Sequence, residues 1–261
     1  MRNVRKYGYA PFSLAVIHGG PGAAGEMRLV VKTLSQSRGV LEPLQTAKTI
    51  KGQILELNEI IRNQADTPLT LIGHSWGAWL TMIYAAHYPT LVKKIIFVGS
   101  GPFEEKYVPQ ITQIRMNRLN DVEKGKLGTL VKALNDPHGK RKDDIFAQIG
   151  TIFFHTDSYK PLKNMELKMN VEYRIFQHIW EEADEMRRRG KLLDFAKKLQ
   201  CPVVAIHGDY DPHPFEGVKK PLSKILKDFT FILLKNCGHY PWVERYAREK
   251  FYAVLEKELW S

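Results

Sequence analysis

At 261 residues, with 44% hydrophobic and 26% charged side chains, the chain can bury one full core and has the composition of an ordinary globular protein. No run approaches the ~18 uncharged apolar residues that cross a bilayer. The basic start Met1-Arg2-Asn3-Val4-Arg5-Lys6-Tyr7 lacks a following cleavage pattern, so a cytoplasmic protein without membrane span or signal peptide is expected.

The net charge of +11 gathers in Lys140-Arg141-Lys142, Arg187-Arg188-Arg189, Lys197-Lys198 and Lys219-Lys220. Each cluster lies beside acids or on a helix-like face, and no nucleic-acid-binding motif accompanies them. A solvated basic surface is therefore expected, with a small-molecule substrate and no nucleic acid as partner. The two cysteines, Cys201 and Cys237, flank opposite ends of two strand-like runs. If those strands are parallel, a length of roughly 17–20 Å separates the thiols, too far for a disulfide. The sequence leaves oligomeric state open.

In chain order, short apolar runs alternate with longer amphipathic stretches, the pattern of strands and helices around a mostly parallel sheet. Phe12 to Ile17 reads as a buried strand ending at His18-Gly19-Gly20-Pro21-Gly22, and Gly39 to Leu44 as a weaker one. Ile50, Ile54, Leu57, Ile60 and Ile61 recur at helical spacing, predicting a helix over 47–64. Leu69 to Ile72 is the next strand, running into Gly73-His74-Ser75-Trp76-Gly77 and a helix from Ala78 to Tyr88. Lys94 to Val98 follows as a strand.

Strand-like runs then give way, over about 103–199, to charge-rich amphipathic stretches: Tyr107 to Leu119, Leu127 to Leu134, Leu167 to Met186 and Lys191 to Leu199. A helical insertion over 102–199 is expected, between core segments 1–101 and 200–261. Strands resume at Pro202 to Ile206 and Thr230 to Leu234, with a helix near 216–227 between them and a last one over Val243 to Leu259.

Gly73-His74-Ser75-Trp76-Gly77 carries the chemistry. A serine at a sharp strand-to-helix turn projects its hydroxyl above the sheet edge, and glycines two positions either side remove Cβ atoms that would collide there. Ser75 is thus the expected nucleophile. An oxyanion needs preset N–H donors; the Trp76 backbone N–H and the Gly20 N–H of the glycine-rich loop are the expected pair. His18 reads as a brace for that loop. A serine hydroxyl also needs a base and an orienting acid. His239, after the last strand, is the expected base; Asp209 and Asp211 both follow the preceding strand, and His207 and His213 lie near them. Neither H-E-x-x-H nor C-x-x-C spacing occurs, so no metal and no cofactor is expected.

The glycine-rich loop, the elbow, Gly208-x-x-Asp211 and Gly238-His239 together resemble the α/β-hydrolase superfamily, over about 10–101 and 200–261. That resemblance implies an α/β-hydrolase fold, a Ser75–His239–Asp211 triad with Asp211 preferred over Asp209, and a helical lid formed by the insertion. Only about eleven residues precede the first buried strand, which implies a sheet shortened at its N-terminal edge, with one extra strand near 3–9. His18-Gly19-Gly20-Pro21-Gly22 with Ser75-Trp76-Gly77 is similar to proline iminopeptidases, which hold a substrate's amino terminus with lid carboxylates. Glu181, Glu182, Asp184 and Glu185 are the residues to consider for that task, although their spacing fits a solvated helix face better. The expected activity is hydrolysis of a carboxylic ester or related acyl bond. An iminopeptidase and a non-catalytic binder on the same fold are the alternatives.

Overall fold

The computed structural model describes residues 3–163 and 169–260. Met1 and Arg2 of the basic start, and Leu167 and Lys168 at the head of one amphipathic stretch, lie outside the described residues.

Seven strands form one sheet: β1 (Val4–Tyr7), β2 (Leu14–Ile17), β3 (Val40–Pro43), β4 (Leu69–His74), β5 (Val92–Val98), β6 (Val203–Gly208) and β7 (Phe229–Leu234). Their spatial order is β1-β3-β2-β4-β5-β6-β7. Only the edge pair β1–β3 is antiparallel; the other neighbours run parallel, as the alternation of runs predicts. β1 falls where an extra N-terminal strand was expected.

Alternate residues of the central strands feed two separate cores. Ala15, Ile17, Leu71, Ile95, Phe97, Val203 and Ala205 pack on one face against α2 (Ile50–Gln64) and α3 (Trp76–His87). Leu14, Val16, Ile72, Ile96, Val98, Val204 and Ile206 pack on the other, against α1 (Arg28–Leu34) and α10 (Arg248–Trp260). The period of two, masked in sequence because both faces are apolar, is what makes a doubly covered parallel sheet. Helix α2 starts three residues later than the periodicity suggests, because the Thr49 side chain accepts from the Gly52 N–H and caps it there. α10 starts five residues later, after a 3₁₀ turn at Pro241–Val243.

Between β5 and β6 run α4 (Val108–Arg118), α5 (Asp121–Asn135), α6 (Lys142–Asp157), α7 (Tyr173–Arg188) and α8 (Lys191–Ala196). Leu119, Leu127, Leu134, Ile149, Ile152 and Tyr173 give this segment a small core of its own. Its basic clusters are largely paired with neighbours: Arg188 and Arg189 with Asp184 and Glu185, Arg141 with Asp144, Lys197 with Asp194. α9 (Glu216–Ile225) links β6 to β7. Cys201 and Cys237 are both free and lie before β6 and after β7, strands that run parallel. Among the described residues no helix is long and apolar enough to cross a membrane.

Two glycines with opposite surroundings test this packing. A Cβ on Gly77 would drive into the Ile17 and His18 backbone carbonyls, the latter at 2.6 Å, whereas Gly125 on exposed α5 has open space around it. Gly77→Ala is expected to cost about 3 kcal/mol, and Gly125→Ala to gain up to ~1 kcal/mol. Urea denaturation of both variants checks the signs; equal effects would contradict the described approach of α3 to β2.

Candidate active site

The carboxyl ends of β2, β4, β5, β6 and β7 converge on one region, as loops at the end of a parallel sheet must. Ser75 follows β4 and caps α3 with φ 50° and ψ −115°, a strained conformation for a residue with a Cβ. Gly73 and Gly77 permit it: a Cβ on Gly73 would strike the Gly77 carbonyl. The Ser75 N–H donates to the Val98 carbonyl at 3.0 Å, tying the turn to β5. α3 begins at Trp76 with no acid in its first turn, so its positive end faces the hydroxyl uncompensated. The Trp76 indole is turned into the protein, where its N–H donates to Gln45 and Gln53. Its backbone N–H and that of Gly20 have no hydrogen-bond partner among the described residues.

Asp211 and His239 are in direct contact. His239 Nδ1 lies 2.7 Å from Asp211 Oδ2, and both are buried. Gly99, at the end of β5, sits against this pair: a Cβ there would come within 3.1 Å of His239 Nδ1 and 3.3 Å of Asp211 Oδ2. Asp209 makes no contact with His239; its Oδ1 accepts from the Cys237 N–H and its Oδ2 lies 3.7 Å from Lys235. Burial pulls the Asp211 pKa up, but the imidazoles of His239, His213 and His207 outweigh it and hold the carboxyl well below the usual range. For His239 burial works downward, and the Asp211 charge and hydrogen bond prevail, leaving its pKa raised. No hydrogen bond joins Ser75 to His239 among the described residues.

No sequence pattern marks the group that links these pieces. Buried Glu26 accepts from the Gly19 N–H at 2.6 Å and lies 2.9 Å from His74 Nδ1; His74 Nε2 in turn lies 3.0 Å from the His239 carbonyl oxygen. One carboxylate and one imidazole thus connect the glycine-rich loop, the elbow and the histidine loop. Burial raises the Glu26 pKa, yet the His74 partner and the Gly19 N–H outweigh it and the carboxyl is lowered overall. His18 is fully buried, its ring nitrogens against the Gly19 and Leu44 carbonyls, and its own carbonyl accepts from Gln45.

The segment 102–199 touches the site at three points. Glu172 donates its N–H to Gly22 of the glycine-rich loop, beside the two-residue pairing of Ala23–Ala24 with Asn170–Val171. Asp157, at the end of α6, accepts the His239 N–H at 2.7 Å through its carbonyl, while its carboxylate grips Arg115 of α4. Glu244 accepts from the N–H groups of Gly238, Tyr159 and Lys160.

A cavity of about 210 Å³ opens beside Ser75, walled by Trp79, Ile111, Arg115, Trp180, Arg187 and His213 among others. Trp79 and Trp180 stack with centroids 5.9 Å apart. Asp184 also faces the cavity, but Arg187 and Arg188 both bind it. Glu182 accepts from the Ile50 N–H and Glu185 pairs with Arg188 and Arg189, so of the four acids considered for holding an amine none is unengaged except Glu181, for which no partner is described. Asp211, His213 and His239 bring ligating atoms within 4.8 Å of one another. Their contacts at 2.7 Å are those of proton-bridged nitrogen and oxygen; a zinc ion, at about 2.0–2.2 Å from each ligand, would hold them farther apart unless the angle at the metal were sharply closed.

Residues 56–246 match the family model described as the alpha/beta hydrolase fold. Curated relatives include an (R)-3-hydroxydecanoyl-ACP:CoA transacylase of Ectopseudomonas oleovorans, 25% identical over 65% of this chain and 52% of that protein. A proline iminopeptidase of Saccharolobus solfataricus is 24% identical over 94% of this chain and 84% of its own. The chain therefore spans about half the length of the transacylase and most of the iminopeptidase. Among solved structures, VinJ superposes with a TM-score of 0.71 at 17% identity, covering 98% of this chain and 93% of that one. With the mostly parallel seven-stranded sheet and the family match over most of its length, the chain belongs to the α/β-hydrolase fold family.

Proposed function

We propose that the protein is a serine hydrolase that cleaves a carboxylic ester or related acyl bond through an acyl-enzyme. The observation that carries this reading is the buried Asp211–His239 pair at the same end of the sheet as a serine held at positive φ. In this reading His239 takes the Ser75 proton through Nε2 as the oxygen attacks the acyl carbon. The Gly20 and Trp76 N–H groups receive the oxyanion. Collapse expels the alcohol or amine with a proton from His239; a water deprotonated by the same ring then releases the acid. Asp211 fixes the ring's tautomer and offsets the charge it acquires.

Residues 102–199 serve as the lid in this reading, since α4 and α7 supply much of the wall of the cavity that Ser75 lines. The acyl bond is favoured over an N-terminal peptide bond by Asp184. A substrate ammonium needs an available carboxylate, and this one is already shared by two guanidiniums. The names of the relatives, a transacylase and an iminopeptidase, fit acyl transfer to or from a serine without choosing the acyl group.

Two measurements test the assignment. Ser75→Ala is expected to abolish fluorophosphonate labelling and lower kcat on p-nitrophenyl acetate by roughly five to six orders of magnitude. A folded wild type that takes no label at Ser75 would instead support a non-catalytic binder. Because His239 must be neutral to act as base and its pKa is raised, kcat/KM should climb with pH through a midpoint above the ordinary imidazole value of about 6.5 and then level off. Asp211→Asn should move that midpoint down and reduce kcat by about 10⁴. A profile flat from pH 5 to 9 would remove His239 from the role of base.

A further inference from the structure

His213 takes no part in the hydrolytic chemistry, and its surroundings fix its state. Its backbone N–H donates to Asp211 Oδ1 at 2.9 Å, and its ring Nδ1 lies 2.7 Å from the same oxygen. Its carbonyl lies 2.8 Å from His207 Nε2. A carboxylate only accepts hydrogen bonds, so Nδ1 carries the hydrogen. Burial pushes the His213 pKa down to about 4 against the upward pull of Asp211, so at neutral pH the ring is uncharged and Nε2 bears a lone pair. That nitrogen has no partner among the described residues. The ring lines the same cavity as Ser75 and lies 4.5 Å, centroid to centroid, from the His239 ring.

The rest of the cavity offers no comparable free acceptor among its charged groups. Arg115 and Arg187 are donors, and Asp184 is held by two arginines. A fixed acceptor this near the proposed base meets atoms only a few bonds from the carbon under attack. The geometry points to His213 Nε2 as the acceptor for a hydroxyl on the acyl group, one or two carbons from the scissile carbonyl, and so to hydroxyacyl esters or thioesters as the preferred substrate class. This rests on the acyl-transfer reading of Ser75. An ammonium donor is disfavoured because the carboxylate that lines the cavity, Asp184, is already held by two guanidiniums. A well-placed hydroxyl gains a hydrogen bond, while an acyl group without one leaves a desolvated nitrogen unpaired.

The test compares p-nitrophenyl esters of butanoate, 2-hydroxybutanoate and 3-hydroxybutanoate, each rate divided by its hydroxide-catalysed rate to remove intrinsic reactivity. Wild type is expected to favour at least one hydroxy ester over butanoate by about tenfold or more in kcat/KM. His213→Asn keeps a side-chain donor near Asp211 but removes the distal acceptor, so the hydroxy-to-plain ratio should fall to near one whatever the absolute rate. His213→Gln, whose amide oxygen reaches the position of Nε2, should retain most of the preference. A corrected wild-type ratio near one, or a preference that survives in His213→Asn, would overturn the role of His213 while leaving the hydrolase reading intact. Turnover of none of the three esters together with no fluorophosphonate label on Ser75 would overturn both.

Discussion

A single buried carboxylate, that of Glu26, joins the loops at the carboxyl end of the sheet. Glu26 receives the Gly19 N–H and the His74 ring, and His74 reaches on to the main chain of His239. Three loops from distant parts of the chain are thereby referred to one group. Burying such a charge is expensive, and removing either partner of a buried pair typically costs 3–5 kcal/mol. The network survives because the partners are complete. Its yield is positional: the loop carrying Gly20 is set against the turn carrying Ser75, where a shift of about 1 Å would spoil donor geometry for an oxyanion.

The same end of the sheet concentrates charge and strain in little space. Asp211 is met by His239 and His213 on its two oxygens, with His207 at 3.5 Å from the oxygen that meets His239. Such a carboxylate stays ionised despite burial and pulls both neighbouring rings toward the charged form, against their own burial. His239 is made more basic, while His213 stays a neutral ring because burial outweighs the attraction. Two histidines on one acid therefore suit different tasks, one to move a proton and one to hold a hydrogen-bonding group.

Much of this was legible in the sequence because it depends on local patterns. Gly73 to Gly77 fits a strand-to-helix turn for steric reasons, and the short apolar runs before it and at Val203 and Thr230 read as strands, the last of them an edge strand that is only part-buried. The contact of Asp211, rather than Asp209, with His239 could not be read from residue types, since both acids follow β6 within a few positions. Glu26 escaped notice because nothing in a run of Gly-Glu-Met marks a carboxylate as buried; only its long-range partners do. α6 falls inside the expected helical insertion but has no stretch of its own that marks it. Its Ile-Gly-Thr-Ile-Phe-Phe stretch is poor in strong helix formers, and it is held by packing against α4, α5 and α7 rather than by an amphipathic stripe visible in sequence.

The attachment of α6 to the histidine loop has a consequence for how the protein can vary. Asp157 holds the His239 backbone, and Glu244 staples Tyr159 and Lys160 to Gly238. The inserted segment is therefore not a detachable module. A chimera that exchanged it whole for a homologous one would disturb the seat of the imidazole, however well the replacement folded. The outward surface of α5, remote from those anchors and largely in solvent, is where sequence can drift or epitopes be grafted at little cost to the chemistry.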